Sequence, residues 1–384
     1  MNQRQVRAWV TYDWANSAFA TTMMAAVMPV FYESVAGAGL AEGAAASYWG
    51  YTQTIAMLCV ALLSPVLGAI ADFRGSKVRF LSVFTFVGAL SCLASFFIGE
   101  GDWLLASLLV ILGTIGFSGG NTFYDALLPD LVPERERDVV SARGYAFGYM
   151  GGGLLLALNI AMIEGWETFG FPDKTTATQT VFVTVGVWWI VFALPLFRSV
   201  KDRPANRSVP LFAVIRTGFA RNLATLRRIR QYPELAKYML AYWFFNDGIN
   251  TIIVMATIYG ATIGIEQTDL ILALLITQFV GYPATILFGR LAVRLGSKKA
   301  LYLSLVIYVL IVMLGFFMTT GFHFYALAIM VGLVQGGSQA VARSIYANLT
   351  PPPRRAEFFG FLALSSKFSA SAGPFLFGLV GALT

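Results

Sequence analysis

The chain has 384 residues, of which 57% are hydrophobic, 15% aromatic and only 12% charged, with a formal net charge of +7. A soluble domain carries roughly 25% charged residues, so these figures exclude a water-soluble fold, a disordered chain, a coiled coil and a disulfide scaffold. They leave an integral membrane protein with many spans.

A helix that crosses the hydrocarbon core needs about 20 largely apolar residues. Eleven segments qualify, near 10–34, 46–71, 79–99, 103–128, 142–163, 178–198, 236–262, 268–291, 300–320, 323–346 and 358–383. They are too long and continuous for a β-barrel. The first, opening with Trp9-Val-Thr-Tyr-Asp13, is too long and polar for a cleavable signal peptide. Of the 27 lysines and arginines, all but Lys174 and Lys367 fall on one side of these spans. The opposite loops carry acids, among them Glu42, Glu100, Asp102, Glu164 and Asp173. By the positive-inside rule the basic side and the N-terminus are expected in the cytoplasm. The net charge is thus a sidedness signal and calls for no nucleic acid. The lipid bilayer is the expected surround and a monomer the expected unit; short loops without a targeting segment suggest a bacterial inner membrane, with a eukaryotic organelle as the alternative.

The polar segment 199–235 divides the chain into a first bundle, 1–198, and a second, 236–384, in which five spans are visible. Leu211, Ile215, Phe219, Leu226 and Ile229 share one helical face within that segment. It reads either as a basic amphipathic helix on the membrane surface or as a solvated connector. The two bundles echo each other. Gly68-Ala-Ile-Ala-Asp72-Phe-Arg74-Gly-Ser-Lys77 after span 2 matches Gly289-Arg-Leu-Ala-Val-Arg294-Leu-Gly-Ser-Lys298 after span 8, with Val293 in place of Asp72. Ser118-Gly-Gly-Asn121 matches Gln335-Gly-Gly-Ser338, and Tyr12 with Asn16-Ser17 matches Tyr242 with Asn246-Asp247. Three echoes in one order, each offset by six spans, indicate an internal duplication.

The loop after span 2 resembles the signature loop of the major facilitator superfamily. Tyr12-Asp-Trp-Ala-Asn-Ser-Ala-Phe-Ala-Thr-Thr22, Phe123-Tyr-Asp-Ala-Leu-Leu-Pro129, Gln335-Gly-Gly-Ser-Gln-Ala-Val-Ala-Arg-Ser344 and Phe358-Phe-Gly360 resemble one branch of it. That branch is the unknown major facilitator family, which includes the fungal autophagy-related vacuolar amino-acid effluxers. The resemblance implies an all-α membrane fold of two pseudo-symmetric six-helix bundles working by alternating access, with the last helix of the second bundle expected to be missing here. It also implies that Gly68, Asp72, Arg74, Gly75 and Lys77 form a gating loop.

An ionisable residue inside a membrane is costly and marks a functional position. Asp13, Asp125, Asp247, Arg343 and Lys367 are the coupling or gating candidates. Asp13 heads a small, polar stripe with Asn16, Ser17 and Thr21. It reads either as a proton or cation site or as a gate or helix cap near the basic end. Asp247 and Lys367 fall at matching depth and are expected to pair, either as a fixed brace or as a pair that a proton or zwitterion opens. Arg343 can meet Asp13 or Asp125 as a gate, or bind a substrate carboxylate. Asn16, Ser17, Asn121, Tyr124, Asn246, Asn250, Gln335 and Gln339 are the expected cavity lining. Donors and acceptors together suit a small polar solute such as an amino acid, with protons as the candidate coupling ion. The glycine run Gly144, Gly148, Gly151, Gly152 and Gly153 reads as close helix packing.

Two cysteines and one histidine supply no metal site, no cofactor site and no nucleophile–base set, and no phosphate-binding glycine motif is present. An enzyme is therefore not expected. The rival readings are a lipid or drug exporter, which would need a wide apolar cavity, and a non-transporting membrane sensor.

Overall fold

Only a helix or a closed barrel satisfies backbone polar groups inside a bilayer. In the computed structural model the apolar runs are accordingly almost wholly helical among the described residues. The structure describes residues 2–41, 43–202, 231–262, 264–265 and 267–366. The expected amphipathic segment 211–229 and Lys367 lie outside the described residues.

Helix α1 (Gln3–Ala18) is capped by Asn2, whose side chain accepts from the Arg4 N–H. The expected span near 10–34 thus begins seven residues earlier, and Asp13 sits well inside a helix that another residue caps. The reading of Asp13 as a helix cap is corrected on that ground. From Phe19 to Ala26 the chain widens into a π-helix, breaks at Val27, and resumes as α2 (Met28–Phe31) and a π-helical turn, Tyr32–Ala36. The two parts are bent by 42°. The polar stripe drawn at α-helical spacing therefore changes register after Ser17, because each π turn holds more residues.

Helices α3 (Ala44–Arg74), α4 (Lys77–Ala94), α5 (Trp103–Leu131), α6 (Arg137–Glu164) and α7 (Lys174–Ser199) follow. Beyond residue 230 come α8 (Pro233–Thr262), α9 (Gln267–Leu295), α10 (Ser297–Gly315), α11 (Gly321–Leu349) and α12, over 355–366. Among the described residues eight helices are long and apolar enough to cross a membrane, nine with the bent first pair. Helix α8 is as long, but Asn246, Asp247 and Asn250 interrupt its apolar run.

Helices α1 to α7 share one large core, in which Trp9, Tyr12, Phe19, Phe123, Tyr124, Phe182 and Trp189 are fully buried or nearly so. The glycines of α6 let α1 approach closely. A Cβ at Gly148 would stand 2.5 Å from Ser17 Oγ, and one at Gly152 would stand 2.9 Å from Thr21 Cγ2. Gly151 meets Trp14 in the same way. Gly153 instead faces Gln278 of α9, across to the second set of helices.

Among the described residues, glycines mark two of the seams that join the sets. One runs between α6 and α9, where Gly281 lies against Tyr149 and Gly289 against Ala142. The other runs between α3 and α12, where Gly68 lies against the Ala356 backbone and Gly360 against Ser64 and Pro65.

Candidate functional site

Helical spacing places residues four apart on one face. Trp9 and Asp13 are so related on α1, Asn121 and Asp125 on α5, and Ser141 and Tyr145 on α6. These faces converge toward the basic end of the first set and form a pocket. Arg343 of α11 fills it from the second set.

Arg343 is 5% exposed, and every side of its guanidinium is occupied. Nη1 lies 2.9 Å from Asp125 Oδ1 and 3.6 Å from Asp13 Oδ2. Nε donates to Ser141 Oγ and Nη2 to the Ser141 carbonyl, both at 2.9 Å. The rings of Tyr145, Trp9 and Tyr124 have their centroids 4.3, 4.8 and 5.5 Å from Cζ. A buried charge is tolerable only when paired and hydrogen-bonded, and cation–π contact adds to this when water is excluded. Gly144 makes the arrangement fit. A Cβ there would stand 2.8 Å from Asp13 Oδ2, 3.0 Å from Trp9 Cζ3 and 3.1 Å from Arg343 Nη2.

The pocket is also braced without Arg343. Trp9 stacks on Tyr124 at 4.4 Å with 9° between planes, and its Nε1–H donates to the Tyr124 carbonyl at 2.9 Å. The Tyr124 hydroxyl donates to Asp13 Oδ2 at 2.9 Å.

A second group of charges lies nearer the basic edge. Gly75 closes α3 at a φ of 61°, a left-handed conformation that glycine adopts without strain, and turns Lys77 back beneath the helix. Lys77 Nζ reaches Asp72 at 3.4 Å, Asp130 at 2.8 Å and the Ala126 carbonyl at 3.4 Å. Asp130 also pairs with Arg355, and Asp72 Oδ2 accepts from the Glu357 N–H at 2.8 Å. Arg137 Nη1 donates to Asn348 Oδ1 at 2.6 Å. Where the second-half loop has Val293 for Asp72, Ser297 donates to Asp138 of α6 at 2.7 Å. Both groups of contacts join the two sets of helices.

Deeper in the first set, Asn16 Nδ2 donates to Asn121 Oδ1 at 2.7 Å, so two expected cavity residues meet. Asn16 Oδ1 is buried without a partner. Asn250, Gln335 and Gln339 are half-buried on α8 and α11 and are not hydrogen-bonded to that pair. Asn246 and Asp247 are half-buried on α8, whereas the expected pairing of Asp247 with Lys367 falls outside the described residues. Arg74 sits one residue before the Gly75 turn and is half-buried.

Trp9, Ser141, Tyr145, Asp130 and Arg355 were not among the expected site residues. The signal for the first three was the i, i+4 spacing on Asp13 and across Gly144. No local pattern marked Asp130 or Arg355. Among the described residues no three His, Cys, Asp or Glu side chains group as a metal site.

A family model described as "Vacuole effluxer Atg22 like" matches residues 1–384. The MFS-type transporter YxiO of Bacillus subtilis (strain 168) is 39% identical over 383 residues, covering 99% of this chain and 89% of that protein. Autophagy-related protein 22 of Pichia angusta is 24% identical over 395 residues, covering 87% of this chain and 70% of that protein. Among solved structures, the transporter FucP in its outward conformation aligns with TM-score 0.72 at 14% identity, over 100% of this chain and 93% of that one. The proton:xylose symporter XylE aligns with TM-score 0.71 at 15% identity, over 98% of this chain and 87% of that one. The chain belongs to the vacuole effluxer Atg22-like family and is a transporter of the major facilitator superfamily.

Proposed function

We propose, taking that membership as the premise, that the protein is a secondary transporter that moves a small polar solute, an amino acid, by alternating access. Its halves are the pseudo-symmetric bundles 1–198 and 236–384, joined by the linker 199–235. The basic face is cytoplasmic, the membrane is a bacterial inner membrane, and the working unit is a monomer.

One observation carries this reading: Arg343, rooted in one set of helices, is the buried counter-ion of Asp125 and Asp13 in the other. Access from the basic face requires the sets to part there, and parting them pulls the cation out of its pocket. Arg343, Asp125 and Asp13 therefore act as the inner gate. Gly68, Asp72, Arg74, Gly75 and Lys77 act as its outer latch, with Asp130 and Arg355. The solute site lies above the gate, toward Asn16 and Asn121, and includes Ser17, Tyr124, Asn246, Asn250, Gln335 and Gln339. The unpartnered Asn16 Oδ1 supports this placement. Asp247 and Lys367 are the second coupling pair, and protons are the coupling ion.

The test is uptake of labelled amino acids into proteoliposomes, with and without a pH gradient. Saturable uptake that R343A abolishes supports the reading. No uptake across a broad amino-acid panel overturns it.

Export of an amphiphile is favoured by one other feature. A cavity of about 390 Å³ opens near the acidic end between Val27, Val30, Phe31, Ile160, Ile163 and Ile271, with Glu164 and Lys174 in its lining. Flipping of labelled phospholipid in the same liposomes separates the two readings.

A further inference from the structure

We infer that the pocket now filled by Arg343 is itself the subsite for the cationic group of the transported solute, with Arg343 its resident stand-in. The inference rests on the alternating-access reading and names the chemistry of the solute: a primary ammonium or a guanidinium.

The geometry divides the contact unevenly. Everything that recognises a cation belongs to the first set of helices: the carboxylates of Asp13 and Asp125, and the rings of Trp9, Tyr124 and Tyr145. The cation alone belongs to the second set. Parting the sets removes the guanidinium and leaves the recognising half in place.

Part of that half, formed by Trp9, Tyr124 and Asp13, holds its shape without Arg343. The Trp9–Tyr124 stack, the Trp9 indole bond to the Tyr124 carbonyl and the Tyr124 hydroxyl bond to Asp13 all lie within the first set. A vacated pocket of this kind is a preformed aromatic cage with two carboxylates, the arrangement that binds organic ammonium groups. The absence of a side chain at Gly144 keeps the space beside Asp13 and Arg343 clear.

Charge accounting points to the same ligand. Opening exposes two carboxylates on one side and a guanidinium on the other, in surroundings where unpaired charges are costly. A proton can neutralise one carboxylate but fills no aromatic cage. A solute with an ammonium and a carboxylate does both jobs. Its ammonium takes the place between Asp125 and Asp13, and its carboxylate takes up the released Arg343. Solute and Arg343 therefore compete for one position, so the inner gate closes only once the cationic group has moved on, inward to the site toward Asn16 and Asn121 or out to the basic face.

The test is chemical rescue of the full chain in nanodiscs. R343A is expected to gain thermal stability with ethylguanidinium or ethylammonium chloride at millimolar concentration. Sodium chloride at equal ionic strength should give less than a tenth of that shift, and D125N in the R343A background should lose the response. Equal shifts with sodium, or none with either organic cation, would overturn the subsite. Should R343A not fold, wild-type counterflow decides. Free amino acids should exchange at least tenfold faster than their N-acetyl derivatives, and equal rates refute the inference. Rescue reads binding without transport. Its failure beside intact amino-acid uptake sinks the subsite alone, and its success without uptake sinks the substrate reading alone.

Discussion

The two charge groups that join the halves are built differently. Around Arg343 a single cation is enclosed by one set of helices, screened by three aromatic rings and held by two carboxylates. Around Lys77 the charges are shared among α3, α4, α5 and α12, with side chains 3% to 14% exposed, and among the described residues no aromatic ring stacks on Lys77 or Arg355. The first is a plug in a socket. The second is a chain of partners in which each carboxylate has an alternative donor. A plug is all-or-none, because removing it strands buried charge, whereas a chain loosens one link at a time.

Substitutions can break or sharpen that contrast. The largest effect is expected for R343A, which leaves Asp125 and Asp13 buried without a counter-ion. Breaking one side of such a pair costs about 3–5 kcal/mol, to be read from chemical or thermal unfolding in detergent, with transport abolished. G144A comes next. Its methyl group would press on Asp13, Trp9 and Arg343 at 2.8 to 3.1 Å, and overpacking of this kind costs about 1–3 kcal/mol. R355A removes one cation from Asp130 while Lys77 remains. Its expected cost is about 1–2 kcal/mol, between the values for exposed and buried pairs. Its main effect should be greater labelling of a cysteine placed at the basic face. A cost for R355A equal to that of R343A would erase the contrast. The smallest effect is expected for K174A, whose pair with Glu164 is more than half exposed on both sides. It should lie below about 1 kcal/mol and shrink with added salt.

Much of the site was legible in the sequence through its exceptions. Asp13, Asp125 and Arg343 stood out because apolar spans rarely carry charge, and the meeting of Arg343 with either aspartate was one of the expected arrangements. The turn after span 2 was legible from its glycines and charges, whereas a gating role for it came only from the family resemblance. What went unread was the company these residues keep. Trp9 and Tyr145 look like ordinary span aromatics. Ser141 looks like filler, and Arg355 looks like one more positive charge at the basic edge. The placement of Asp13 shifted because α1 begins before its apolar run does, and the stripe below it shifted because the π-helical turns leave no mark in composition.

Local chemistry thus determined the class, most of the long apolar helices, the one-sided spread of basic residues and the few charges set within apolar runs. These follow from hydropathy and helical period, which any stretch of about 20 residues carries within itself. Only the tertiary structure decided which charges meet. Arg343 and Asp125 are 218 residues apart in the chain, and nothing in either neighbourhood encodes the other. Their pairing is set by how the glycine-lined faces of α6 pack against α1 and α9, and close packing of that kind is a property of the assembled helices rather than of any one of them.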